Sequence, residues 1–227
     1  MGLFEAEDKT SQSPNKKYQF HFVKTPKEGT IISEGVNLNG KIDSYEDIIV
    51  YGKIKGDITT TATLVIGKNS TVSGLIKANE VRVDGTLIGP IEANKVEVTK
   101  EAKTTGYIVA TEIKINGYTN GDIVCKDSLE IEEHGSVITP KSLANTIKIK
   151  GSIRGEIVAK NLLELFKGAI CKGKIETTLL RTEEGSILEG SISKYSNSST
   201  NRTLQKSNLD KVENKIRKIK VIKPKKK

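Results

Sequence analysis

The tripeptide Gly-x-Ile recurs along most of this chain at intervals of 15–18 residues. Glycine packs no side chain and loses much entropy on ordering, so its regular use in strand-like stretches needs a structural reason. Recurrence at a near-constant interval is typical of repeat architectures, in which each repeat stacks on its neighbours. The residues that open the ten copies are Gly40, Gly56, Gly74, Gly89, Gly106, Gly121, Thr139, Gly155, Gly173 and Gly190, the Thr139 copy being degenerate.

The repeat length predicts a β-solenoid. A strand–helix–strand unit needs a crossover of about a dozen residues or more and does not fit such an interval. Three short strands joined by tight corners do fit, and successive coils would stack ~4.8 Å apart in parallel register. In the stretch IVYGKIKGDI, we expect Ile49 or Val50, then Ile54 and Ile58, to point inward. The glycines are expected at or beside corners, where a positive φ or a close approach by the next coil is needed.

Enzymes and carbohydrate-binding proteins on a solenoid fold are the alternative. β-Helical lyases and hydrolases need clustered carboxylates on one face. Asp57, Asp122 and Glu156 share one position of the repeat, but uncharged and basic residues interrupt this column. Scattered carboxylates on a solvated wall are the interpretation that the pattern favours. Left-handed hexapeptide acyltransferases fit less well, because consecutive hexapeptides are absent.

The sequence predicts no catalytic, cofactor or metal site. His21 and His134 have no ligand spacing to Cys125 or Cys171, which argues against a zinc site. The two cysteines fit a protein kept reduced in the cytoplasm. No apolar run reaches the ~18–20 residues that span a bilayer. Acidic residues from Glu5 onward argue against a secretory signal.

Two stretches resemble the bactofilin family of bacterial polymer-forming cytoskeletal proteins. They are IISEGVNLNGKIDSYEDIIVYGKIKGDI (31–58) and LVIGKNSTVSGLIKANEVRVDGTLIGPIEANKVEV (64–98), and the resemblance extends over roughly residues 30–193. It implies an all-β fold, a right-handed triangular parallel β-helix of about ten rungs that assembles end to end without nucleotide. A segment similar to the family's usual closing rung, LEIEEHGSVITPKS (129–142), is followed by three further rungs, so this helix is expected to be longer than usual.

The sequence predicts three segments: a flexible leader (1–29), a β-helix polymerisation domain (30–193), and a linker with a basic tail (194–227). We expect both termini to be disordered. Residues 201–227 hold 11 Lys and Arg against 2 Asp and Glu, whereas the rest of the chain holds 26 of each sign. The formal net charge of +9 therefore belongs to the tail, and any electrostatic partner is expected there.

The leader opens with Leu3 and Phe4, which are candidate membrane-binding residues. The family resembled often carries a short hydrophobic N-terminal peptide that holds the filament on the membrane. A frayed terminus is the alternative that residue physics alone supports equally well. Farther along, YQFHF (18–22) alternates aromatic side chains in a strand pattern and is expected to cover the first coil.

In the tail, Leu209, Val212, Ile216 and Ile219 recur at helical spacing with basic residues between them. A basic amphipathic helix is typical of membrane-surface or partner-binding segments, and a solubilising tail is the alternative. Nucleic acid is not an expected specific partner, because the tail lacks aromatic residues on which bases could stack. The basic residues at issue are Lys215, Arg217, Lys218, Lys220, Lys223, Lys225, Lys226 and Lys227.

The open ends of a solenoid expose unpaired backbone groups over an apolar cross-section, and such edges recruit other strands. The chain is therefore predicted to be a homopolymer-forming scaffold and not an enzyme. The resemblance implies that the filament is cytoplasmic and peripheral at the inner face of the cytoplasmic membrane. It also implies cell-wall synthesis or hydrolysis proteins as partners, and an effect on cell shape. A monomeric adaptor acting through its tail is the third hypothesis. The candidate end residues are Ile31, Ile32, Leu38, Ile187, Leu188 and Ile192.

Overall fold

The computed structural model describes residues 29–196, and these residues form a parallel β-solenoid of ten coils. No helix occurs in this part of the chain, so the predicted all-β solenoid is confirmed. The strands are β1 (Gly29–Ile32), β2 (Asn37–Asn39), β3 (Ile42–Ser44), β4 (Asp47–Val50), β5 (Lys53–Lys55), β6 (Ile58–Thr60), β7 (Thr63–Ile66), β8 (Thr71–Ser73), β9 (Ile76–Lys77), β10 (Glu80–Val83), β11 (Thr86–Ile88), β12 (Ile91–Glu92), β13 (Lys95–Val98), β14 (Lys103–Thr105), β15 (Ile108–Ile115), β16 (Tyr118–Asn120), β17 (Ile123–Ile131), β18 (Ser136–Ile149), β19 (Ser152–Leu165), β20 (Ile170–Thr182) and β21 (Ile187–Lys194).

Each coil contributes one segment to each of three walls. Wall A starts with β1 and continues through β4, β7, β10 and β13 to the last parts of β15, β17, β18, β19 and β20. Wall B starts with β2 and ends in the first part of β21. Wall C starts with β3 and ends in the last part of β21. In the later coils the strands bend around the corners, where the register shifts, and so belong to two or three walls.

Inward-pointing side chains stack in continuous columns and form the core. Ile54, Ile115 and Ile153 are at most 1% exposed, as the repeat predicts. Of Ile49 and Val50, one of which the repeat predicts to point inward, Val50 is buried and Ile49 is not. The described core contains no aromatic side chain. The wall C column shows the regularity: it comprises Ile42, Ile58, Ile76, Ile91, Ile108, Ile123, Ser142, Ile157, Ile175 and Ile192.

The repeated glycines form a ladder at the corner before wall C. All nine have a φ between +136° and +153°, a region that only glycine enters readily. From the second coil onward, a Cβ on any of them would meet the backbone oxygen of the equivalent residue in the preceding coil. Thr139 occupies this position once without a positive φ, and the extra residue Pro140 is accommodated as a register shift between Thr139 and Lys141. The glycines thus allow both the turn and the close stacking, as expected.

Candidate assembly surfaces

Both ends of the solenoid leave strand edges open within the described part of the chain. At the N-terminal end, β1, β2 and β3 each pair with one strand only, namely β4, β5 and β6. At the C-terminal end, the wall A segment of β20 and the whole of β21 likewise have a strand neighbour on one side. Open edges of this kind present rows of backbone donors and acceptors to another chain.

Four of the six predicted end residues terminate inward columns. Ile32 stacks on Val50 and is 7% exposed, and Leu38 stacks on Ile54 and is partly buried. At the other end, Leu188 stacks on Cys171 and Ile192 stacks on Ile175. These side chains lie over the apolar cross-section of the solenoid. The other two, Ile31 and Ile187, occupy the alternate outward positions and are 63% and 46% exposed on walls A and B.

Two further apolar residues lie at the ends of inward columns and were missed by the sequence analysis. Ile42 and Leu180 end the inward columns of walls C and A, and both are partly buried against the core. Ile42 belongs to the first Gly-x-Ile copy, so continuing its column to the first coil would have found it. Leu180 has no such signal. The N-terminal end surface is therefore Ile32, Leu38 and Ile42, and the C-terminal end surface is Leu180, Leu188 and Ile192.

Wall A carries a column of outward charges of alternating sign. Arg82 Nη1 lies 3.5 Å from Glu97 Oε2 across neighbouring coils. Lys114 Nζ lies 2.7 Å from Glu132 Oε1, a hydrogen bond that raises the pKa of Lys114 and lowers that of Glu132. Exposed pairs of this kind contribute little each. Alternation keeps like charges apart between adjacent coils, so wall A favours the observed stacking register. The column is Arg82, Glu97, Lys114, Glu130, Lys148, Glu164 and Arg181.

The three candidate carboxylates do not converge. Asp57 Oδ1 accepts a hydrogen bond from the backbone N–H of Leu75 at 2.9 Å, and Asp122 Oδ1 accepts one from the backbone N–H of Lys141 at 3.0 Å. Each thus binds the corner of the following coil. Glu156 accepts a hydrogen bond from Lys141 Nζ at 3.1 Å. Asp57 lies four coils from Asp122, or ~19 Å along the axis, which is too far for paired acid–base chemistry.

The buried thiols are not arranged for chemistry. Burial raises the pKa of Cys125 to about 11 and that of Cys171 to about 12, so both stay protonated at neutral pH. Residues 29–196 contain no group of three or more His, Cys, Asp or Glu that could hold a metal ion. Over the same residues, no helix is long and apolar enough to cross a membrane.

Several predicted sites lie outside the described residues. They are the membrane-binding candidates Leu3 and Phe4, the YQFHF segment (18–22), His21 and the basic tail beyond residue 196. The predictions for these segments, and the division into three segments, stay predictions.

Comparison with known proteins gives one family. The family model described as "Bactofilin: Polymer-forming cytoskeletal" matches residues 30–116 and, a second time, residues 108–193. Two relatives are from Myxococcus xanthus (strain DK1622). Bactofilin BacP is 27% identical over 89 residues, 39% of this chain and 37% of BacP. Bactofilin BacO is 30% identical over 87 residues, 38% of this chain and 69% of BacO. The match thus spans little more than a third of BacP. No solved structure matches the chain significantly.

Proposed function

Because the chain belongs to the bactofilin family of polymer-forming cytoskeletal proteins, we propose that it polymerises end to end through the two end surfaces of its solenoid. The filament acts as a scaffold at a membrane. The observation that carries the proposal is that inward apolar columns reach the first and last coils, at Ile32, Leu38 and Ile42 and at Leu180, Leu188 and Ile192, and that no further strand of residues 29–196 stacks on them.

End-to-end contact supplies its own driving force. Full burial of a large apolar side chain contributes ~1.5–3 kcal/mol. Each end surface brings three such side chains, whose exposure ranges from 7% at Ile32 to 51% at Ile192, so the gain is largest for the exposed ones. The contact also pairs the open edges on all three walls, which satisfies backbone groups that otherwise bond to water. No step of this assembly consumes a nucleotide. Repetition of an end contact that does not close on itself gives a filament.

We expect Leu188→Arg to abolish filaments. The guanidinium would lie on the apolar cross-section at the C-terminal end surface, where an approaching chain would have to desolvate it. Negative-stain microscopy and sedimentation of the purified protein without nucleotide should show filaments for the unaltered chain and small soluble species for the variant. Ile138→Arg is the matched control, because Ile138 is 44% exposed and points outward on wall B in the middle of the solenoid.

Two outcomes would contradict this proposal. Filaments of Leu188→Arg with unchanged length would exclude the C-terminal end surface from the contact. An unaltered chain that stays monomeric at high concentration would refute end-to-end assembly itself and leave the monomeric adaptor as the better hypothesis. Circular dichroism of each variant checks that the β-solenoid has formed.

We further propose that Leu3 and Phe4 attach the filament to the membrane. Together they contribute a few kcal/mol, at ~1.5–3 kcal/mol per buried side chain, and so only ~millimolar binding for one chain. A filament presents many copies, which makes the same peptide sufficient. Leu3→Ser combined with Phe4→Ser should release intact filaments into the soluble fraction, whereas Leu188→Arg should release the protein by dissolving them.

A chain that ends at Lys194 separates the leader from the basic tail as the attachment. It should still polymerise, because the strands of the solenoid end there. If the double-serine variant stays bound to anionic vesicles and the shortened chain is released, with a difference that shrinks as salt rises, the tail is the attachment instead.

The biological role that we propose rests on the family. The filament lies at the inner face of the cytoplasmic membrane and positions cell-wall synthesis or hydrolysis proteins, and so affects cell shape. Cells that produce Leu188→Arg should mislocalise such proteins. A carbohydrate-acting function gains no support from the described residues, because Asp57 and Asp122 bind backbone amides and Glu156 pairs with Lys141.

A further inference from the structure

Wall C carries an outward apolar strip in the middle of the solenoid. Val109, Val124, Leu143 and Val158, here called the wall C strip, stack in four consecutive coils. The same column holds Glu92 in the coil before the strip and Glu176 in the coil after it. The strip is thus bounded by charge at both ends and runs ~14 Å along the axis, at ~4.8 Å per coil.

The other walls differ in the same coils. Wall A presents the alternating charges, and wall B presents mostly hydroxyl, amide and basic side chains. A second outward apolar run, Ile31, Ile49 and Val65 on wall A, lies in the first three coils beside the N-terminal end surface. The wall C strip lies in the fifth to eighth of the ten coils, so four coils precede it and two follow it. End-to-end contact therefore leaves it uncovered.

Salt-bridged side chains border the strip. Val109, Val124 and Leu143 are partly exposed, while Val158 is 3% exposed although it points outward. Beside Val158, Glu156 Oε1 lies 3.1 Å from Lys141 Nζ. An apolar column on the outer face of a β-sheet, with salt-bridged neighbours, suits the wall of another solenoid better than it suits a small ligand.

We propose that the wall C strip is a lateral interface between two copies of this chain that lie antiparallel in neighbouring filaments. The proposal rests on the end-to-end assembly proposed above. Its basis is a self-complementary pattern. The column beside the strip reads Tyr107, Asp122, Lys141 and Glu156 in the same four coils.

We place a two-fold axis parallel to the strands, between the two walls and midway along the strip. This axis brings the first coil of the strip opposite the last coil of the strip in the second copy, and the second coil opposite the third. Asp122 then faces Lys141 of the second copy, and Tyr107 faces Glu156, so that a phenol can donate to a carboxylate. Within the strip, Val109 faces Val158 and Val124 faces Leu143. Every pair is favourable, as an isologous contact requires. This column is complementary to its own reversed order, which favours a second copy of the chain over an unrelated protein as the partner.

One strip is too small to hold two single chains together. Its four side chains cover far less than the ~800 Å² per partner of a stable interface. A filament of ten-coil chains repeats the strip once per chain, on average every ~48 Å at ~4.8 Å per coil. Two antiparallel filaments of the same chain present strips at the same spacing, so the contacts act together. Lateral pairing should therefore follow polymerisation and not precede it.

Val124→Lys tests the strip. In filaments of the purified full chain, we expect the fraction that is laterally paired in negative stain to fall at least about tenfold, because each lost contact is multiplied along the filament. Filaments themselves should persist. The matched control is Ile88→Lys, which adds the same charge at an outward residue of wall B that is 49% exposed, and it should leave pairing unchanged.

The charges test the antiparallel arrangement. Asp122→Lys should reduce pairing, since it places two lysines opposite each other, and the further change Lys141→Asp should restore it. Val124→Cys should give a covalent dimer with a short bis-maleimide in filaments, whereas Ile88→Cys should not. The native Cys125 and Cys171 are buried and should not react in the folded chain.

The outcomes separate this proposal from end-to-end assembly. Single filaments of the unaltered chain at all concentrations would overturn the lateral interface and leave the end contact standing. Pairing that survives Val124→Lys, or pairs that give no Val124→Cys dimer, would overturn it as well. Pairing lost only on removal of residues 195–227 would assign lateral contact to the tail. Absence of any filaments would overturn both proposals.

Discussion

Replacing Ile153 with aspartate should lower the free energy of unfolding by about 3–5 kcal/mol, which is the range for an uncompensated charge or a large cavity in a core. Ile153 is 1% exposed and stacks between Val137 and Cys171 in the inward column of wall B. None of the buried side chains of residues 29–196 is cationic, so none could pair with the new carboxylate. The loss is measured by thermal and denaturant unfolding, followed by circular dichroism.

Ile138→Asp is the matched control for this change. Ile138 is also an isoleucine of wall B, in the preceding coil, but it points outward and is 44% exposed. Surface substitutions of this kind usually stay within about 0.5 kcal/mol. Equal stability of the Ile153→Asp protein and the unaltered protein would show that the inward register of wall B is wrong.

A loss of about 3 kcal/mol or more is expected when Gly106 is replaced by alanine. Gly106 has a φ of +139°, which alone costs of order 1–3 kcal/mol for a residue with a side chain. In addition, the new Cβ would meet the backbone oxygen of Gly89 in the preceding coil. That oxygen belongs to the stacked backbone and cannot move without opening the ladder. Denaturant unfolding measures the total loss, and hydrogen exchange shows whether the protection of the neighbouring coils falls first.

Gly168→Ala separates the two contributions. Gly168 also has a positive φ, +83°, but a Cβ there would meet no atom within 4 Å. Only the conformational cost remains, about 1–2 kcal/mol for a left-handed residue. If both alanine variants lost the same stability, the close approach between coils would not be the reason for the glycine ladder.

The repeat, the walls and most of the core could be predicted from the sequence because their determinants are local. A backbone that turns with positive φ close to a neighbouring oxygen accepts glycine alone, so a glycine recurs in the sequence at this corner of nearly every coil. Alternation then places Ile54, Ile115 and Ile153 inward. The sequence did not decide between Ile49 and Val50, because both are apolar and a shift of one residue exchanges the two faces of a strand.

Four of the predicted end residues lie where inward columns end, and their role in assembly stays a prediction. Ile32, Leu38, Leu188 and Ile192 are apolar residues of the first and last copies, and they do terminate inward columns. Leu180 could not be recognised, because it belongs to the last segment of wall A and is followed by a polar corner and one further strand, β21. Whether a residue closes a column depends on where the final coil stops.

The wall C strip was decided by the tertiary structure alone. Its members, Val109, Val124, Leu143 and Val158, are 15, 19 and 15 residues apart, and each is a single outward residue between two buried, inward-pointing ones. Corners that hold different numbers of residues, such as the one with Pro140, absorb the unequal spacing, so the residue above a given side chain cannot be read from a fixed period. The sequence by itself determines the coil, because the coil depends on local turns and alternation. Stacking determines which outward side chains become neighbours, because that depends on the register of every corner between them.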